Sequence, residues 1–168
     1  MKIGVLADTH IPGSAKVLPE IIFEAFQRVD HIIHAGDIAS MEVLKALETI
    51  APVTAVAGNV DPPFLKDQLG EKKILEAGGF NIGVFHGHGK KGKTVQRAID
   101  CFRSDLVHCI CFGHSHMPFC EYYGDILLFN PGSPTNKRRE AFFSFGILEI
   151  NQVIIPHIIY FDFAEKIK

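Results

Sequence analysis

The sequence predicts an α/β fold, and two observations lead to that prediction. In the first 61 residues, three short apolar stretches alternate with two stretches whose apolar residues recur at helical spacing. Each of the three apolar stretches then runs into a cluster of polar residues. A βαβαβ start of this kind predicts parallel strands with right-handed crossovers, and ligands are expected at the carboxyl ends of such strands.

The first half of the chain contains the βαβαβ pattern. Residues 2–7 form an apolar run that is typical of a strand buried on both faces. Apolar residues at helical spacing predict a helix over 16–29, with Pro19 tolerated in its first turn. The remaining elements are a strand at 32–33, a helix over 40–50 with Ser40 as its N-cap, and a strand over 53–57.

The second half of the chain predicts mainly strands. Gly78-Gly79 separates two short apolar arms and is typical of a tight hairpin turn. A helix is predicted over 94–102. The predicted strands cover residues 73–76, 81–85, 106–112, 119–123, 126–129, 142–150 and 153–160. Because no repeat or linker is apparent, a single domain over 1–168 is expected.

Composition excludes several classes of protein. With 47% hydrophobic and 21% charged residues, the chain is globular rather than disordered. The net charge is −2 and the longest basic run is Lys137-Arg138-Arg139, so no nucleic acid beyond small nucleotides is expected as a partner. That run fits either steering of an anionic substrate or a solvated loop. No apolar stretch could span a bilayer and no signal peptide is apparent, so a cytoplasmic location without a membrane partner is expected.

Five predicted strand ends carry side chains that bind divalent metals. In chain order they are Asp8-Thr9-His10, Gly36-Asp37, Gly58-Asn59, His86 and Gly113-His114-Ser115-His116. Each cluster alone fits an ordinary turn, but an α/β sheet would gather all five at one edge. On an extended chain, His114 and His116 would point to one side and share a target. The set therefore predicts a metal site.

The chemistry of these side chains narrows the choice of metal. Carboxylates, amide oxygens and imidazoles together suit Mn²⁺, Fe²⁺, Zn²⁺, Co²⁺ or Ni²⁺. The absence of a cysteine from the set disfavours a structural zinc site. Two such ions about 3.5–4 Å apart can share a carboxylate and a hydroxide, an arrangement suited to in-line attack on phosphorus.

With these motifs in place, the sequence resembles the calcineurin-like metallophosphoesterases, most of all their small single-domain bacterial and archaeal phosphodiesterases. The resemblance implies a two-sheet β sandwich flanked by helices, with the site along one edge. It also implies two divalent metal ions, with manganese expected first and nickel, iron, zinc or cobalt as alternatives. The implied ligands are Asp8, His10, Asp37 and His116 for one metal and Asp37, Asn59, His86 and His114 for the other, with Asp37 as the bridge.

The same resemblance implies a reaction. A metal-bridging hydroxide would hydrolyse a small phosphodiester, with Asp37 and Asn59 as catalytic residues. One departure affects this expectation, because Val60 replaces a family histidine that helps the leaving group depart. Loss of a general acid costs about 10²- to 10⁴-fold in rate, so we expect diesters to be preferred over monoesters. His88 is the candidate substitute and third catalytic residue; alternatively, it supports a metal ligand or is solvated.

Three alternatives remain open from the sequence. The protein could be a non-catalytic protein-interaction module on the same fold, like the small subunit of retromer, although none of the seven predicted ligand positions is substituted. The loop from Asn130 to Ser133 fits either contact with a phosphate or a plain turn. The late apolar segment Tyr160-Phe161-Asp162-Phe163 suggests a homodimer.

Overall fold

The computed structural model describes residues 1–162, which form two five-stranded sheets flanked by four helices. The strands are β1 (Lys2–Leu6), β2 (His31–His34), β3 (Val53–Ala55), β4 (Lys72–Ala77), β5 (Phe80–Phe85), β6 (Cys109–Cys111), β7 (Phe119–Tyr123), β8 (Ile126–Asn130), β9 (Phe143–Ile150) and β10 (Ile154–Phe161). The helices are α1 (Glu20–Phe26), α2 (Met41–Glu48), α3 (Pro63–Leu69) and α4 (Thr94–Cys101). The sandwich that the resemblance implied is confirmed.

Both sheets mix parallel and antiparallel pairs. The first sheet has the strand order β10-β9-β1-β2-β3, in which β1, β2 and β3 are parallel. The second has the order β4-β5-β6-β8-β7, in which β5, β6 and β8 are parallel. The strands at the centre of each sheet therefore end at a common edge, where the predicted site residues follow them.

The main core lies between the sheets. Val5 and Ile33 from the first sheet and Val84, Cys111 and Phe129 from the second are buried in one cluster. Because side chains alternate along a strand, the neighbouring residues face outward and must be covered by helices. Helices α1 and α2 cover the first sheet, and α4 covers the second.

The contact between α1 and β1 depends on a glycine. Phe26 at the end of α1 is fully buried and packs edge-to-face on Phe145, with ring centroids 5.6 Å apart. A Cβ at Gly4 would lie 2.6 Å from the Phe26 ring, so the bare strand backbone makes room for the phenyl group. The ring thereby fills the space between helix and sheet.

Several predicted boundaries differ from the observed ones. The first helix begins at Glu20 rather than in the region of residue 16, because Pro19 is its N-cap and not part of its first turn. The second helix agrees closely with its prediction, and the Ser40 side chain accepts a hydrogen bond from the Glu42 N–H as an N-cap. Strand β6 is shorter than predicted, since Leu106 is exposed and the chain pairs only from Cys109.

Helix α3 was not predicted. It begins at Pro63, where the fixed backbone of proline suits the first helical position, and it buries only Leu65. A helix with one buried residue leaves little periodicity in the sequence.

None of the helices within residues 1–162 has both the length and the apolar character needed to cross a bilayer.

The predicted dimer segment lies at the edge of the first sheet. Tyr160 and Phe161 belong to the edge strand β10, and Tyr160 is exposed. Phe163 lies outside the described residues. The homodimer therefore stays a prediction, as does the single domain over 1–168.

We expect Phe26→Ala to lower the free energy of unfolding by about 3–5 kcal/mol, because it leaves a cavity between α1 and the first sheet. Urea denaturation followed by circular dichroism would measure the loss. Phe64→Ala is the matched control, since Phe64 is 55% exposed on α3. That variant should change the free energy by no more than about 0.5 kcal/mol. Equal losses for the two variants would contradict the packing described for Phe26.

Candidate metal centre

The polar residues predicted at the strand ends meet at one edge of the sandwich. Asp8 and His10 follow β1, and Asp37 follows β2. From the second sheet, His86 directly follows β5, and the pair His114 and His116 follows β6. The site is thus assembled from both sheets.

The backbone at these positions is unusual. Asp8, His10, Asp37, His114 and His116 all have left-handed conformations, with φ between 46° and 71°. For a residue with a Cβ this conformation costs about 1–2 kcal/mol. The expectation that His114 and His116 share a target because they alternate on an extended chain is therefore wrong. The chain leaves the strand at Cys111, and the two imidazoles join different clusters.

The first cluster consists of Asp8, His10 and His116. The Nε2 atoms of His10 and His116 lie 3.7 Å and 3.4 Å from Asp8 Oδ1. The two Nε2 atoms are 3.1 Å apart. Two imidazole nitrogens at that distance repel each other unless a proton or another cation lies between them, so the geometry fits a shared cation.

The second cluster consists of Asp37, His86 and His114, whose ligand atoms lie within 4.8 Å of one another. His86 Nε2 is 3.2 Å from Asp37 Oδ2. The same Oδ2 atom is 3.6 Å from His10 Nε2 of the first cluster. The Asp37 carboxylate therefore lies between the two clusters.

Hydrogen bonds orient two of the imidazoles. His86 Nδ1 is 2.7 Å from the Ala35 carbonyl oxygen, and His116 Nδ1 contacts the Asn136 carbonyl oxygen. A carbonyl oxygen can only accept, so each Nδ1 carries a proton, and in the neutral ring each Nε2 has a lone pair. This is the arrangement in which histidine binds a metal through Nε2.

Among the described residues, two buried atoms of the two clusters lack hydrogen bonds. They are Asp8 Oδ1 and His86 Nε2. Leaving such polar atoms without a partner is costly, and a divalent cation in each cluster would remove that cost. Together with the carboxylate and imidazole donors, this shows that the residues fit borderline divalent cations.

Burial and neighbouring charges shift the pKa values of three residues in the second cluster. Burial raises the pKa of Asp37, but His86 and the Val60 N–H outweigh burial and lower it to about 2, so the carboxylate stays ionised. Burial lowers the pKa of His86, but the carboxylates of Asp37 and Asp8 raise it above its usual value. Burial lowers the pKa of His114, with a further contribution from the charge of His86.

Asn59 and His88, the other two predicted site residues, border the clusters. Asn59 is exposed after β3, and the N–H of the following Val60 donates to Asp37 Oδ1 over 3.0 Å. The His88 ring lies 5.6 Å from the His86 ring, and its Nε2 is 3.8 Å from Glu71 Oε1. His88 belongs to neither of the two clusters of histidine and carboxylate atoms in the described part of the chain.

Several supporting residues were not predicted to have their observed roles. The buried Asp61 accepts hydrogen bonds from the Ala39 N–H (2.6 Å) and the Gly58 N–H (2.7 Å), which joins the loops that follow β2 and β3. Ser133 is buried, and its hydroxyl donates to the Asp8 carbonyl oxygen over 2.8 Å. Its side chain therefore supports Asp8. A contact across 125 residues leaves no signal in the sequence, whereas Asp61 follows Gly58-Asn59 at a predicted strand end, where a polar side chain has a recognisable position.

Comparison with known proteins identifies the family. Residues 1–153 match the calcineurin-like phosphoesterase superfamily domain. A probable metallophosphoesterase of Methanothermobacter thermautotrophicus is 40% identical over 140 residues, which cover 82% of this chain and 80% of that protein. A phosphodiesterase of Methanocaldococcus jannaschii is 32% identical over 147 residues, covering 79% of this chain and 83% of that protein.

A solved structure shows the same fold. Vps29 of Chaetomium thermophilum aligns with a TM-score of 0.80 over 96% of this chain and 97% of its own, at 18% identity. That likeness concerns the architecture alone. The match over residues 1–153 includes every predicted ligand position from Asp8 to His116. The chain therefore belongs to the calcineurin-like phosphoesterase superfamily, the family that its motifs resemble.

Proposed function

We propose that this protein is a divalent-metal-dependent phosphodiesterase. The proposal is carried by one observation, the two adjacent donor clusters with the ionised Asp37 between them. Relatives named as a phosphodiesterase and as a probable metallophosphoesterase support the same class of activity. The substrate class is a small phosphodiester.

Each cluster would hold one cation. Asp8, His10 and His116 would bind the first and His86, His114 and Asn59 the second, with Asp37 shared by both. Manganese is our first choice, with nickel, iron, zinc or cobalt as alternatives, because the donors are carboxylates, imidazoles and an amide oxygen. When bound, two such cations lower the pKa of water and offset the charge of phosphoryl oxygens.

The chain itself contributes position and charge. Asp8 and Asp37 are buried, so their negative charges are available to the cations with little screening by solvent. The hydrogen bonds to Ala35 and Asn136 fix two rings in advance, which reduces the entropy lost on binding. His10 and His114 are only partly buried, so a phosphodiester can reach the site from solvent.

The rival function is a non-catalytic protein-interaction module, and the similarity of the fold to Vps29 keeps it in consideration. Such a module needs no complete ligand set. Here every predicted ligand position has a metal-binding side chain, which favours the enzyme. A cytoplasmic location remains part of the proposal.

Metal-loaded protein should hydrolyse bis(p-nitrophenyl) phosphate faster than p-nitrophenyl phosphate, because the proposed substrate is a phosphodiester and the two compounds share one leaving group. Asp37→Asn should lower diester hydrolysis by at least about 100-fold, since the shared carboxylate loses its charge. Release of p-nitrophenolate measures both effects.

Asp125→Asn is the matched control, because Asp125 is exposed in the turn between β7 and β8 and should leave the rate unchanged. Hydrolysis that survives Asp37→Asn would contradict the proposed mechanism. Absence of both metal binding and hydrolysis in the parent protein would favour the interaction module.

We expect His114→Ala and His116→Ala to remove different metal ions, because the two imidazoles belong to different clusters. Each variant should retain about one of two equivalents of Mn²⁺, and anomalous diffraction should show which position is lost. His157→Ala, on the exposed surface of β10, should retain both. Loss of the same ion from both variants would refute the assignment of separate ligands.

His88 is proposed to contact the leaving oxygen in place of the residue missing at Val60. Its Nδ1 is buried without a hydrogen bond in the described chain, and the ring lies close to His86. His88→Ala should lower the rate of diphenyl phosphate hydrolysis by about 10²- to 10⁴-fold. The rate of bis(p-nitrophenyl) phosphate hydrolysis should fall much less, because p-nitrophenolate leaves without assistance. With His157→Ala as control, equal losses on the two substrates would assign His88 a supporting role only.

A further inference from the structure

A basic cavity adjoins the metal centre. Its volume is about 260 Å³, and its lining residues are Ser115, Met117, Lys137, Arg138, Arg139 and Glu140. Ser115 stands between the proposed ligands His114 and His116. The cavity is therefore in contact with the segment that supplies a ligand to each cluster.

The segment that carries the basic residues is attached to the metal centre. Ser133 donates to the Asp8 carbonyl oxygen, and Thr135 Oγ1 donates to the Thr9 carbonyl oxygen over 2.6 Å. The next residue, Asn136, accepts from His116 Nδ1. A loop that served only for solvation would not need these contacts, so the attachment favours a role at the site.

Arg138 contacts the segment that carries His114 and His116. Its Nη1 donates to the His114 carbonyl oxygen over 3.4 Å, and its backbone has a left-handed φ of 48°. The guanidinium therefore lies close to the segment that carries both histidines.

Two cations of the cavity are not neutralised. Within residues 1–162, no carboxylate forms an ion pair with Arg138 or Arg139, although Glu140 lines the same cavity. Lys137 differs, because its Nζ donates to the Ala141 carbonyl oxygen and lies 5.3 Å from the Phe143 ring centroid. The two guanidinium groups therefore retain donors and charge for an anion.

We propose that this cavity binds a second phosphoryl group of the substrate and that Arg138 and Arg139 select phosphodiesters that carry one. The guanidinium fork matches phosphate oxygens in paired hydrogen bonds, which makes arginine better suited to this task than lysine. The inference rests on the proposed function and adds the substrate class, a small phosphodiester with an additional phosphate such as a phosphorylated nucleotide ester.

The test compares two substrates with the same leaving group, the p-nitrophenyl ester of thymidine 5′-phosphate with and without a 3′-phosphate. The parent protein should have a kcat/KM at least about tenfold higher for the 3′-phosphorylated ester. Arg138→Ala and Arg139→Ala should each reduce this ratio, and the double variant should bring it close to one. Arg138→Lys should recover only part of it, since the paired geometry is lost.

Arg28→Ala is the control. Arg28 is exposed between α1 and β2, and it precedes the amino end of β2, whereas the site lies beyond the carboxyl end of that strand. Its ratio should equal that of the parent. A ratio near one in the parent, or an unchanged ratio in the double variant, overturns the inference while hydrolysis itself upholds the proposed function.

If neither ester is hydrolysed, the proposed function fails. A binding measurement then tests whether the basic cavity binds a phosphoryl group. Calorimetric titration with thymidine 3′,5′-bisphosphate should then show at least about tenfold weaker binding to the double variant than to the parent. No binding to the parent, or equal binding to both proteins, refutes the basic cavity as a phosphoryl site.

Discussion

One hydrogen bond joins the two sheets at the point on which the site depends. The His114 N–H, which follows β6, donates to Asp8 Oδ2, which follows β1, over 2.8 Å. A Cβ at Gly113 would lie 2.8 Å from the same oxygen and 2.7 Å from the Ala7 Cβ, so only glycine permits this approach. The bond satisfies one oxygen of a fully buried carboxylate and leaves Oδ1 for the first cluster. The ligands of each cluster come from both sheets, and this bond fixes the Asp8 segment of one against the His114 segment of the other.

The strain at the site has a related explanation. Left-handed backbone at a residue with a Cβ persists only where surrounding contacts determine it. Here the carboxylates supply such contacts, since Asp8 accepts from His114, Asp37 from Val60, and Asp61 from Ala39 and Gly58. Hydrogen bonds to charged acceptors contribute about 1.5–3 kcal/mol, comparable to the cost of one left-handed residue. The acidic side chains thus fix the conformation of the loops that carry the proposed ligands, and two of them, Asp8 and Asp37, also offer oxygen atoms to a metal.

Sequence reasoning could predict the features that depend on local pattern. Ser40 was expected as an N-cap and is one, and the hairpin around Gly78-Gly79 forms where the turn residues indicated. Ligand positions could be proposed because strand ends share an edge. The helix at 63–69 was missed because only Leu65 is buried, and the role of Ser133 was missed because its partner Asp8 is distant in the chain. Contacts of that kind arise from topology, which single-sequence periodicity does not contain.

One loop joins the proposed metal ligands to the proposed substrate-binding arginines. The carbonyl of Asn136 orients the His116 ring, and the same segment continues directly into Arg138, which contacts the His114 carbonyl. A displacement of this loop would therefore change the direction of the His116 ring, a proposed metal ligand, together with the position of Arg138, a proposed substrate-binding residue. Because the loop is attached to Asp8 through Ser133, its position is in turn set by the contact between the sheets. If Arg138 and Arg139 select the substrate as proposed, a change in this loop could alter specificity without altering the residues that bind the metals.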